Sequence, residues 1–278
     1  MIWPATRGDA RALVAFMGRQ KSLVRRYWAW EVALLFYSVV NVLSIGYLAA
    51  GLGLVAPGVG SGDLRDAQLY LLVGSLLWGY LWMVFLEVAY AIIWERWEGT
   101  IEYTFMAPVR RFTHLLGVGL FALVYGLART LATLVVASLL FHLDLSRSDL
   151  LAAAAVLVAS TPALMGIAIL AAVLPMLSPE KGEQMTFALE SVILLLSGVY
   201  YPISVLPAPL QLLAAGSPLT YTLAGIRESM LHGRHLGDQV GTLALLLAMG
   251  GLLVPLGLLV FAAAERRAKR LGLLKRSG

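Results

Sequence analysis

At 278 residues, with 60% hydrophobic and 13% charged side chains and a mean hydropathy of +0.82, this chain has too few polar groups to cover a soluble globule and reads as an integral membrane protein. It has no cysteine, which excludes disulfides, thiolate nucleophiles and cysteine metal sites. A bilayer core of about 30 Å takes about 20 apolar helical residues, so long uncharged runs count as spans; the expected fold is all-α with six of them.

The first 26 residues are polar and basic. From Asp9, a suitable helix cap, Leu13, Val14, Phe16, Met17 and Val24 lie among Arg11, Arg19, Lys21, Arg25 and Arg26, the composition of a basic amphipathic helix on an anionic membrane face. A plain positive flank of the first span is the alternative, and no cleavable targeting segment is expected here. The first span is expected over Tyr27 to Val55. In the glycine-rich loop after it, Gly60-Ser61-Gly62-Asp63 matches the Gly-x-Gly-Asp signature of intramembrane aspartyl proteases. That chemistry needs a second membrane-embedded Asp, and none of the six expected spans holds one, so an ordinary turn is the better reading.

The second span is expected over Leu69 to Ile93. Residues 94–111 then form a charged and aromatic elbow, Trp-Glu-Arg-Trp-Glu-Gly-Thr-Ile-Glu-Tyr-Thr-Phe-Met-Ala-Pro-Val-Arg-Arg. Helical spacing puts Glu95, Glu98 and Glu102 on one acidic stripe and leaves Trp97, Ile101 and Phe105 to face lipid or protein. Gly99 is expected to interrupt this helix and Pro108 to end it. An interfacial helix with no further role is the plainer alternative.

Spans three, four, five and six are expected over Phe112 to Phe141, Leu150 to Leu177, Met185 to Tyr201 and Val240 to Ala264. Pro162 and Pro175 are expected to bend the fourth. The fifth is short and its far end is assigned to Pro202. Residues 202–238 contain apolar pieces, Leu206 to Ala215 and Leu219 to Leu231, cut by Pro202, Pro207, Pro209, Gly216 and Pro218; none can cross alone, so they read as a broken outer-leaflet hairpin. Residues 265–278 form a basic tail.

Lys and Arg resist translocation, and their distribution sets the orientation. Arg7, Arg11, Arg19, Lys21, Arg25 and Arg26, then Arg96, Arg110 and Arg111, then Lys181, then Arg266, Arg267, Lys269, Arg270, Lys275 and Arg276 fall on one side; Arg65, Arg147, Arg227 and Arg234 fall on the other. Both termini and the elbow are expected to be cytoplasmic, in a multi-pass protein of the cell (inner) membrane.

Three ionisable residues lie inside expected spans: Glu87, Arg129 and Glu190. Such groups are costly in hydrocarbon and face the protein interior. Counted along the helices, Glu87 and Glu190 are about 9 Å from the inner face and Arg129 about 24 Å, so the carboxylates are expected to share a level that Arg129 does not. They are candidate cargo contacts near an inner gate, or else groups satisfied by hydroxyls and interfacial water. Trp28, Trp30, Trp94, Trp97, Tyr200 and Tyr201 suit an interfacial aromatic belt, with Tyr200 and Tyr201 also candidate gate residues. His114, His142, His232 and His235 form no zinc-protease motif, and no metal site is expected. A channel or a structural membrane subunit is the remaining alternative, and no repeated polar ring supports a channel.

The elbow's Glu95-Arg96, Gly99-Thr100 and Glu102, followed by Pro108-Val109-Arg110-Arg111, resemble the coupling segment of ABC-2-type permeases. Gly198-Val199-Tyr200-Tyr201-Pro202, Leu206-Pro207 and Ser217-Pro218-Leu219-Thr220-Tyr221 resemble that family's outer hairpin. The resemblance implies the membrane subunit of an ATP-driven exporter: a dimer, with a second copy or a paralogue, seated on ATP-binding subunits that receive the elbow. It makes Glu95, Arg96, Glu98, Gly99, Thr100, Glu102, Phe105 and Pro108 the expected coupling residues, the carboxylates meeting basic groups and Phe105 filling a groove. None of Lys21, Lys181, Lys269 and Lys275 follows a glycine, so no Walker A site is present and ATP with its Mg is expected on the partner chain. No cofactor of its own, no catalytic residue and no nucleic-acid partner is expected. The elbow looks more like those of multidrug or antibiotic exporters than of polysaccharide ones, so a hydrophobic or amphipathic cargo is expected, with a lipid-linked glycan as the alternative.

Overall fold

The computed structural model describes residues 7–55, 61–141 and 148–274, and among these every regular element is helical. In chain order they are α1 (Arg7–Arg26), α2 (Trp28–Val55), α3 (Ser61–Ala89), α4 (Ala91–Trp97), α5 (Ile101–Met106), α6 (Arg111–Phe141), α7 (Leu150–Ala171), α8 (Val173–Leu177), α9 (Gly182–Ser197), α10 (Ala208–Ala215), α11 (Pro218–Leu231) and α12 (Val240–Arg270). Five stretches are long and apolar enough to cross a membrane: Trp28–Gly51, Asp66–Ala89, Arg111–Phe141, Leu150–Leu177 and Leu236–Arg270. Their side chains are apolar on nearly all sides, as a lipid solvent requires.

The elements depart from the sequence reading at several boundaries. The fifth expected span is the 16-residue α9, about 24 Å long by helical rise and shorter than the other long helices. It stops at Ser197 because Gly198 turns left-handed (φ +69°), a conformation that costs other residues; Pro202 only opens the 3-10 turn Ile203–Val205 that follows. The second span ends at Ala89, and the fourth breaks at Ala172, where the ring of Pro175 would crowd the carbonyl of Ala171. Ser61, expected in a loop, opens α3, while Gly60, His142, Arg147, Lys275 and Arg276 lie outside the described residues. α12 continues through the first residues of the expected tail.

Helix α7 is the hub, packing on α12 most extensively and then on α11 and α3. Its buried positions are dominated by small residues, among them Ala152, Ala159, Ser160, Ala163, Gly166 and Ala168. Backbones can therefore approach closely: a Cβ on Gly166 would lie 2.6 Å from the Leu253 carbonyl carbon, and one on Gly250 would lie 2.6 Å from Pro162 Cβ. At the end remote from α4, Asp149 caps α7 by accepting the Ala152 N–H (2.8 Å) and faces His235 Nδ1 at 2.9 Å. Those two contacts, the backbone N–H foremost, hold its carboxyl below the usual carboxylate range.

The same end is stapled by Arg227 of α11, which is buried. It donates to the carbonyls of Gly198 (2.8 Å), Val199 and Tyr70, and its guanidinium lies 3.5 Å from the centroid of the Tyr70 ring. One cation thus satisfies carbonyls left free where α9 ends and ties that turn to α3.

Candidate functional site: the elbow and the central cavity

Helix α4 follows α3 with almost no interruption, since Tyr90 N–H donates to Leu86 O (2.8 Å) and Trp94 N–H to Tyr90 O (2.9 Å). It ends at Gly99 (φ +68°), where Thr100 N–H returns to Glu95 O (2.8 Å) and Gly99 N–H to Arg96 O (3.1 Å), a Schellman cap that only glycine accommodates without strain. α5 starts afresh at Ile101 and closes at Ala107, which is extended (ψ 142°) as a residue before proline must be. This break in helical phase separates the three glutamates expected on one stripe. Glu95 is 1% exposed, Glu98 is partly buried and Glu102 is exposed.

The inward-facing groups are bound within the chain. Arg19 of α1 donates to Glu95 Oε1 (3.0 Å), Glu98 Oε2 (2.8 Å) and Thr100 Oγ1 (2.9 Å), so one guanidinium clamps both short segments of the elbow. Buried His114 of α6 lies 3.1 Å from Glu95 Oε1, too poorly aligned for a hydrogen bond, with the Phe16 ring 4.5 Å from its own. Arg96 is buried, which lowers its pKa from the ordinary guanidinium value, and it donates to Met176 O of α8 (3.3 Å). Phe105 is buried too, under the Arg111 guanidinium (4.3 Å to the ring centroid). Arg111 donates to Thr104 O (2.8 Å) and Phe105 O (2.9 Å) and pairs with Glu265 of α12 (3.2 Å). Pro108 stands between α5 and α6 and forces the turn.

Helix α1 completes this cluster. It crosses α6 so closely that a Cβ on Gly117 would lie 2.8 Å from Phe16 Cβ, and Gln20 Nε2 donates to Glu87 Oε2 of α3 (3.0 Å). The elbow is thus fastened to α1 through Arg19, to α3 through the backbone ladder, to α8 through Arg96 and to α12 through Arg111. What it presents outward is Trp97, Glu102, Tyr103 (78% exposed), Met106 (84% exposed) and Pro108. Through these contacts the elbow joins that surface to several of the long helices.

The intramembrane charges are arranged differently from the depth count. Glu87 meets Gln20, not Glu190. Arg129 and Glu190 instead line one cavity of about 370 Å³ between α2, α3, α6 and α9, together with Trp78, Trp82, Tyr37, Asn41 and Tyr200. Arg129 donates to Leu34 O and Ser38 Oγ (2.6 Å) of α2, while Glu190 Oε2 is buried with no hydrogen-bond partner. Tyr201 is outside the cavity and donates its hydroxyl to Leu195 O (2.7 Å), which closes the turn after α9. Arg19, His114 and Arg227 carry no functional signal in the sequence: Arg19 is one of the basic residues of an amphipathic helix, His114 one of four histidines that form no motif, and Arg227 one more charge on the outer side.

A search of curated proteins returns no match. A family model described as ABC-2 type transporter matches residues 11–231, from the first turns of α1 to the end of α11, and so takes in the elbow, the cavity and the hairpin. With several apolar helices of membrane-crossing length and this match over most of its length, the chain is a multi-pass membrane permease that belongs to the ABC-2 type transporter family.

Proposed function

We propose that the protein is the permease subunit of an ATP-driven exporter. It crosses the cell (inner) membrane six times with both termini cytoplasmic, α9 and the turn after it making the short fifth crossing beside an outer hairpin of α10 and α11. Two copies, or this chain and a paralogue, form the pathway, and each elbow docks on a separate ATP-binding subunit that carries ATP and Mg. The cargo is a hydrophobic or amphipathic molecule taken from the cytoplasm or inner leaflet into the central cavity. Closure of the ATPase pair presses the elbows and rocks the helices between inward and outward access.

The observation that supports this reading best is the division of the elbow into two faces. Arg19, Arg96, Arg111 and Phe105 are spent on fastening it to the bundle, whereas Trp97, Glu102, Tyr103 and Met106 are left exposed beside it. Large apolar side chains in a cluster at an otherwise charged end suit a protein partner. Co-purification from native membranes in mild detergent tests it. An ATP-binding subunit is expected to accompany the wild type and to be lost from the double variant Tyr103→Ala, Met106→Ala. Its absence from the wild type sinks the exporter reading, and its retention by the double variant moves the docking surface elsewhere.

A further inference from the structure

We propose that the central cavity is a receptor for a lipophilic organic cation, with Glu190 as the anion that selects it. The proposal deepens the exporter reading by naming the cargo class of its cavity. A volume of about 370 Å³ is within the usual range for small-ligand sites, and Tyr37, Trp78, Trp82, Phe187 and Tyr200 contribute aromatic side chains to the wall. The two charges in that wall are not equivalent. Arg129 is held by Leu34 O and Ser38 Oγ, and the acids acting on it are Glu31 and Glu87. Glu190 makes no ion pair among the described residues; the Trp82 indole N–H donates to it, and its buried Oε2 accepts no hydrogen bond. A carboxylate in hydrocarbon with no counter-charge is costly, and a positively charged guest is what removes that cost.

The surroundings of Glu190 narrow the class further. Trp78 and Trp82 flank it in the main cavity and again in a small adjoining slot lined by Leu81, Phe85 and Leu164. The Trp82 N–H is turned to the carboxylate and the π faces of indoles attract organic cations; the slot, about 10 Å³, has no room for a substituent and only extends the apolar wall. Arg129 stands in the same wall, but its charge is already shared with Glu31 and Glu87, so an anionic guest would be repelled by Glu190 without a free cation to offset it, and a neutral guest would leave the carboxylate as it is.

The test uses purified full-length protein in phosphatidylcholine nanodiscs without any ATPase, titrated with methyltriphenylphosphonium and with its neutral counterpart triphenylphosphine oxide. Wild type is expected to bind the cation at least about tenfold more tightly than the neutral analogue, the scale of a desolvated cation contact. Glu190→Gln is expected to erase that preference, Glu190→Asp to keep part of it, and Glu180→Gln, at an exposed position between α8 and α9, to leave it intact. Glu190→Gln is expected to melt no lower than wild type, because its amide oxygen can still accept from Trp82 and no ion pair is lost, so a lost preference cannot be ascribed to unfolding. Equal binding of the two probes by wild type, or an unchanged preference in Glu190→Gln, overturns the proposal. Since no ATPase is present, failure here leaves the exporter reading standing, and failure of an ATPase to co-purify leaves the cation site standing.

Discussion

Replacing Arg19 with alanine is expected to release α1 from the elbow and to uncouple transport while leaving the bundle folded. The substitution removes three charge-assisted hydrogen bonds at once and leaves Glu95, almost fully buried, without its cation. A buried pair broken on one side costs several kcal/mol, but the Arg19 side chain is 26% exposed and water compensates part of the loss, so about 2–3 kcal/mol is expected. The loss is local to α1 and the elbow. ATP hydrolysis by the bound partner is therefore expected to persist while transport falls by about five- to a hundredfold, the range of an ordinary coupling energy. Transport in proteoliposomes beside hydrolysis in the same preparation reads this directly. If the Arg19→Ala and Glu95→Gln effects simply add in the double variant, the two side chains are not coupled and the clamp has no mechanical role.

The second large effect is expected at the α7 and α12 contact, from two adjacent glycines. Gly250 and Gly251 are both inside α12, so alanine changes the helix propensity of each alike. They differ in what the new methyl group meets. At Gly250 it would lie 2.6 Å from Pro162 Cβ and 3.0 Å from Ala163 N, whereas at Gly251 nothing lies within 4 Å. Gly250→Ala is expected to force the helices apart at a cost of about 1–3 kcal/mol, and Gly251→Ala to be neutral or slightly stabilising. Thermal unfolding in one detergent decides it: equal melting points for the two variants would mean that close backbone approach at this contact carries no stability.

Much of this architecture was legible because it follows from solvent and from breakers. Apolar runs of membrane length mark the five long helices, Gly99 and Pro108 divide the elbow, and the prolines of 202–218 delimit α10 and α11. What escaped the sequence reading are contacts that depend on where helices return. Arg19 is 76 residues from Glu95, and its role exists only because α1 folds back along α6. Arg227 counted as one more charge on the outer side, yet its acceptors are backbone carbonyls around Gly198 that have no signature in the side-chain order. The depth count separated Arg129 from Glu190 by assuming upright helices beginning at a common plane. α9 is too short to obey that assumption, and the two line the same cavity.

The exposed side of α5 is expected to receive force from an ATP-binding partner, and because the sequence has no cysteine, site-specific cross-linking reads that contact cleanly. Tyr103→Cys, at an exposed position, is treated in native membranes with a short bifunctional thiol-to-amine reagent, with Glu95→Cys, at a buried position, as the control. Tyr103→Cys is expected to capture an ATP-binding protein, with a yield that changes when ATP is added, and Glu95→Cys to capture none. Capture of no ATP-binding protein by Tyr103→Cys, or equal capture by both variants, would contradict that contact.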